Sequence, residues 1–127
     1  MQVSKMLRSF IPAVAGLRFL VQENNAKFHI LATIVTLSAG IYLKISTTEW
    51  AIILVLIGLV LAAETFNTAI EKLCDFVSPQ YHTGIGKVKD LAAAAVLIVA
   101  TTAIIVGILI FVPKLFNHSL IQSLINS

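Results

Sequence analysis

Three long apolar runs separated by short polar breaks organise this chain, and a shorter stretch ahead of them alternates apolar and polar positions at helical spacing. The runs are residues 26–45, 50–74 and 91–112. Each is about 20 residues or longer, enough for a helix to cross a hydrocarbon core of about 30 Å. The first is the weakest, because Lys27, His29 and Lys44 interrupt it, and it spans if the lysines snorkel to opposite surfaces. His29 reads there as a hydrogen-bonded interfacial histidine. Trp50 opens the second run where an interfacial aromatic is expected. The third carries the alanine run 92–95, a smooth surface for close helix packing, and Pro113 is expected to close it. Residues 4–22 place Leu7, Phe10, Ile11, Val14, Leu17 and Val21 on one side and Lys5, Arg8 and Ser9 on the other, the pattern of a helix lying in the interface. Pro12 should kink it or join two shorter pieces. Residues 114–127 read as an amphipathic interfacial tail. The pattern predicts an all-α membrane protein with a single membrane domain over 1–127, an N-terminal surface helix and three transmembrane helices.

Composition agrees: 58% of the 127 residues are hydrophobic, well above the soluble globular range. A single cysteine, Cys74, excludes an intrachain disulfide and a cysteine-based metal site. The net charge of +3 does not imply nucleic acid, because the basic residues flank apolar runs. Lys5, Arg8, Arg18, Lys27, Lys72, Lys87 and Lys89 fall on one side of the predicted membrane, and Lys44 and Lys114 on the other. That bias puts the N-terminus and the 74–90 loop in the cytoplasm of a bacterial cell and the C-terminus outside. Ser9, Pro12 and Gly16 interrupt the leading apolar stretch, so a removed signal peptide is not expected.

Against this background residues 63–75, AETFNTAIEKLCD, are the exception. At about 100° per residue Glu64, Asn67, Glu71 and Asp75 fall within roughly 80° of one helix face. Counting about 1.5 Å per residue from Trp50, Glu64 lies roughly 21 Å into the core, with no partner evident at its depth, and Glu71 reaches the inner boundary. Glu23, Lys89 and Asp90 are at a similar level. A desolvated carboxylate beside charged groups at the water boundary suits a reaction between a lipid-borne group and a charged soluble reagent. Glu64 is placed to act as general base toward a hydroxyl. Glu23 and Glu71 offer oxygen ligands for a hard cation such as Mg²⁺, and Lys89 can neutralise phosphate. Arg18 either snorkels or contacts a phosphate. Asp90 either belongs to this site or caps the third helix. Two other classes fit the same residues: a channel or proton/cation transporter using Glu64, and a structural membrane protein glued by ion pairs. No P-loop is present, so a nucleotide would need another arrangement.

The run Glu64-Thr65-Phe66-Asn67-Thr68-Ala69-Ile70-Glu71, followed by Asp75, Tyr81-His82, Lys89-Asp90 and Ala94-Ala95-Val96-Leu97, resembles the small prokaryotic diacylglycerol kinase family, which includes undecaprenol kinases. The resemblance covers roughly residues 5–112. It implies a homotrimer of three-spanning chains that phosphorylates a lipid hydroxyl with ATP and Mg²⁺. It further implies Glu64 as the general base, Asn67 and Asp75 shaping the active site, and Glu71 and Glu23 as metal ligands. Lys89 would then contact the ATP phosphates, Asp90 the nucleotide, and Tyr81 and His82 would lie where the loop approaches it. The Phe28-His29-Ile30 segment and the 78–82 loop resemble the undecaprenol-kinase side of the family.

Overall fold

The computed structural model describes residues 2–127, folded as four helices: α1 (Gln2–Leu20), α2 (Asn24–Leu43), α3 (Thr47–Val77) and α4 (Thr83–Ile125). Among the described residues α2, α3 and α4 are long and apolar enough to cross a membrane. A leading helix followed by three spans is the architecture the apolar pattern predicts.

Pro12 lies inside α1 without dividing it into two pieces. A proline removes one backbone donor, and an exposed helix can turn the freed carbonyl to water or headgroups. Leu20 is the one buried residue of α1, so this helix is held to the rest of the molecule mainly through the chain.

The connection from α2 to α3 is short and tightly bonded. Lys44 adopts the left-handed conformation (φ 51°, ψ 55°) that reverses the chain. The Lys44 and Ile45 N–H groups then donate to the Ile41 and Gly40 carbonyls at 3.4 and 3.3 Å, satisfying the end of α2. Ser46 at once begins α3 with a capping box: its Oγ accepts from the Glu49 N–H at 3.2 Å, and its own N–H donates to Glu49 Oε1 at 2.9 Å. Gly40 is required here, since a Cβ at that position would lie 2.7 and 2.9 Å from the Trp50 ring. Ile45, Ile53 and Ile110 form a small core at this end, with Trp50, Ile57, Val106 and Phe111 packed around it.

At the opposite end α3 passes to α4 through residues 78–82. The Ser78 hydroxyl donates to the Gln80 carbonyl at 2.9 Å, and His82 Nδ1 accepts from the Gly84 N–H at 3.0 Å, making His82 the N-cap. Asp90 therefore does not cap α4; it lies inside the helix, which begins at Thr83 rather than Leu91. The expectation that Pro113 closes the third span is also corrected. The helix continues through Pro113 to Ile125, 43 residues or about 65 Å. Only one backbone bond is lost at the proline, and contacts hold the following turns in place. Lys114 Nζ lies 3.2 Å from Glu49 Oε1, and the rings of Tyr42 and His118 approach with centroids 5.3 Å apart.

Few apolar side chains are covered within one chain. Among the described residues only Leu20, Ala26, Ile45, Ile53, Cys74, Ala92 and Ile110 are buried hydrophobics. Leu97, Ile98, Ile104 and Leu109 stand open, which suits lipid tails or neighbouring membrane chains and not water.

Candidate active site

The polar face of α3 points into the molecule. Glu64, Asn67 and Thr68 are 2%, 4% and 8% exposed, although each lies in a helix otherwise coated with apolar residues. Helical spacing brings the Asn67 side chain over the next turn, where its Nδ2 donates to Glu71 Oε1 at 3.3 Å. The other end of that amide, Oδ1, is buried with no partner among the described residues. An acceptor buried without a partner costs about 1–3 kcal/mol, a cost that a hydrogen bond from an ordered water or a bound group removes.

Glu64 does have a partner at its depth, contrary to the sequence reading: His29 of α2 places Nε2 3.7 Å from Glu64 Oε2. Both side chains are shielded, at 13% and 3% exposure. Sequence reasoning had His29 as an interfacial histidine and missed this, because contact between two helices depends on their relative register and not on spacing within either one.

Glu23 sits at the N-cap position of α2, yet its side chain makes no capping bond. It reaches α3 instead, with Oε1 2.9 Å from Lys72 Nζ. That ties the start of α2 to the turn of α3 that carries Glu71 and Lys72. One turn further, Asp75 pairs with Lys89 of α4. Asp75, Tyr81, His82, Lys89 and Asp90 line one cavity of about 400 Å³, so the fold brings these five predicted residues together. Arg18 stands apart. It lines a shallow groove of α1 with Phe10, Ile11 and Val14, and no ion pair engages it among the described residues. The fold does not bring it to the α3 face, because α1 packs so little against the other helices.

A second cavity, of about 290 Å³, lies among α2, α3 and α4 on the apolar side of the site. Phe28, His29, Thr36, Ile53, Val60 and Phe111 line it, and small residues of α4, Ala100, Ala103 and Gly107, leave it room. The spacing of those small residues was the available signal for a hollow there. Along α3 the order is Val60 in the apolar cavity, then Glu64, Asn67 and Glu71, then Asp75 in the polar one. The buried carboxylate thus lies between a space fit for hydrocarbon and a space fit for charge.

The profile of the prokaryotic diacylglycerol kinase family matches residues 12–111, well over half of the chain and all of the elements that build both cavities. The chain belongs to the prokaryotic diacylglycerol kinase family. This member is a lipid kinase and a multi-pass membrane protein. It is 36% identical over 115 residues to an undecaprenol kinase of Bacillus subtilis, covering 90% of this chain and 94% of that protein. Against a diacylglycerol kinase of a Synechocystis species it is 31% identical, over 88% of this chain and 65% of that one. Against the Escherichia coli K12 diacylglycerol kinase it is 30% identical, over 69% of each. Membership decides for the enzyme over the ion-conducting and structural alternatives. The turns of the kinase after residue 111 lie outside the family match.

Proposed function

We propose that this kinase transfers the γ-phosphate of ATP to the primary hydroxyl of undecaprenol, working with Mg²⁺ as a homotrimer in the bacterial inner membrane with its N-terminus in the cytoplasm. The observation that carries the reading is the position of Glu64, buried on α3 between the apolar cavity and the polar loop cavity. A polyprenol is almost wholly hydrocarbon with one hydroxyl, and ATP is wholly aqueous. Their reacting atoms can meet only at such a boundary.

In this reading Glu64 is the general base that takes the hydroxyl proton as the alcohol oxygen bonds to the γ-phosphorus. The bond from that phosphorus to the bridging oxygen breaks, and its electron pair leaves on ADP. Lys89 exchanges Asp75 for a phosphate oxygen, and Tyr81, His82 and Asp90 hold the nucleotide in the loop cavity. Asn67 orders the face between the two. Phosphoryl transfer asks mainly for such positioning and charge neutralisation.

Glu23 and Glu71 are the residues that would hold Mg²⁺. What supports this is the donor set: Mg²⁺ takes one or two carboxylates and completes its shell with phosphate and water, and the orphaned Asn67 Oδ1 is an acceptor awaiting such a water. Lys72 meanwhile supplies the positive charge beside Glu23. Bound there, the ion would neutralise phosphate charge.

The choice of undecaprenol rests on the near full-length similarity to the Bacillus subtilis protein, against shorter or weaker matches to the diacylglycerol kinases. The test is competition of undecaprenol with diacylglycerol in one micellar assay with radiolabelled ATP. Undecaprenol should take most of the label, and preferential labelling of diacylglycerol would overturn the substrate assignment.

A further inference from the structure

We propose that His29 is the positioning residue for Glu64, fixing which carboxylate oxygen faces the lipid hydroxyl; this rests on the reading of Glu64 as the base. The two residues come from different helices and meet in a shielded place, His29 Nε2 facing Glu64 Oε2 at 3.7 Å. The other charged groups near Glu64 are the carboxylates of Glu71 and Glu23, which repel it, and the Thr68 hydroxyl lies one turn along the same helix. The nearby ammonium groups are engaged elsewhere, Lys72 with Glu23 and Lys89 with Asp75. Thr33 is also committed, its hydroxyl donating to the His29 carbonyl at 2.8 Å. Among the described residues His29 therefore supplies the one ring nitrogen that faces Glu64 from across the helix interface.

The imidazole is itself held. Phe28 meets it edge to face, with centroids 5.7 Å apart and planes at 76°, and the rest of the ring forms part of the apolar cavity wall. With Oε2 directed at this ring, Oε1 is left to take the proton when the hydroxyl oxygen attacks the γ-phosphorus and the bridging P–O bond breaks toward ADP. His29 exchanges no proton in that step. It prevents the carboxylate from rotating, and a separation of 3.7 Å in the free enzyme can tighten when substrate excludes water. A base displaced by about 1 Å costs on the order of 100-fold in rate.

The test compares three variants of the full chain, turning over undecaprenol and MgATP in micelles. His29→Ala should lower kcat about 100-fold and leave KM for both substrates within about twofold. His29→Gln, which keeps an N–H donor at similar reach, should recover at least about tenfold of that loss, while His29→Leu, which fills the space without a donor, should not. Unchanged kcat in His29→Ala, a rise in KM alone, or equal recovery by Leu and Gln would overturn the proposal. Should the Ala variant fail to fold, the Gln and Leu pair still decides it. Glu64→Gln keeps the two readings apart. Full activity in that variant defeats the base assignment itself, whereas an inactive Glu64→Gln beside an active His29→Leu defeats only the role of His29.

Discussion

Replacing Asn67 by leucine separates the part of this residue that holds the protein together from the part that serves the reaction. The substitution keeps the branched shape and the number of side-chain heavy atoms in a site that is 4% exposed, so no cavity opens. It removes the 3.3 Å hydrogen bond to Glu71, and a bond to a charged acceptor contributes about 1.5–3 kcal/mol. It also removes the orphaned Oδ1, whose burial costs about 1–3 kcal/mol. Glu71 is only half-buried, so water can replace part of the lost donor. The two contributions nearly cancel, and unfolding stability in detergent should change by less than about 1 kcal/mol. Turnover should not be spared. If Asn67 aligns Glu71 and accepts from a bound water or the substrate, its loss should lower kcat/KM by roughly 100-fold, about 2.7 kcal/mol of transition-state stabilisation. Thermal unfolding and radiolabel transfer measured on one preparation make the comparison. A variant that loses activity only in proportion to its folded fraction, or that keeps full activity, would show that the amide is a packing element.

Two further outcomes follow from the geometry. Gly40→Ala puts a methyl group within 3 Å of the Trp50 ring and should lower unfolding stability by about 1–3 kcal/mol, and Trp50→Phe in the same chain should return part of it, read by thermal unfolding. Lys89→Met removes the cation of the loop cavity and should raise KM for ATP by tenfold or more, about 1.4 kcal/mol, with KM for the lipid nearly unchanged in steady-state kinetics.

The inward polar face was legible because it depends on one helix alone: Glu64, Asn67 and Glu71 share an arc by arithmetic, and burial of the first two follows from the cost of exposing them to lipid. The grouping of Asp75, Tyr81, His82, Lys89 and Asp90 was also within reach, since a short turn must fold the start of α4 back against the end of α3. His29 opposite Glu64 was not. Its place depends on the register between α2 and α3, set far away by the Lys44 reversal and the contact of Gly40 with Trp50. Pro113 misled for another reason. The rule that proline ends a helix weighs one lost bond against local propensity, while here ion-pair and ring contacts to α3 and α2 secure the turns beyond it.

The tight reversal at Gly40, Lys44 and Ser46 makes α2 and α3 the arms of a pair of tongs, jointed at the end away from the contact of His29 with Glu64. From Ser46 to Glu64 the arm is about 27 Å long, so a tilt of only 5° at the joint would move Glu64 relative to His29 by about 2 Å. The stiffness of a few residues at one end of the helix pair thereby sets the tolerance of a contact near the other end. Substitutions at the joint should act on the reaction at a distance, through leverage.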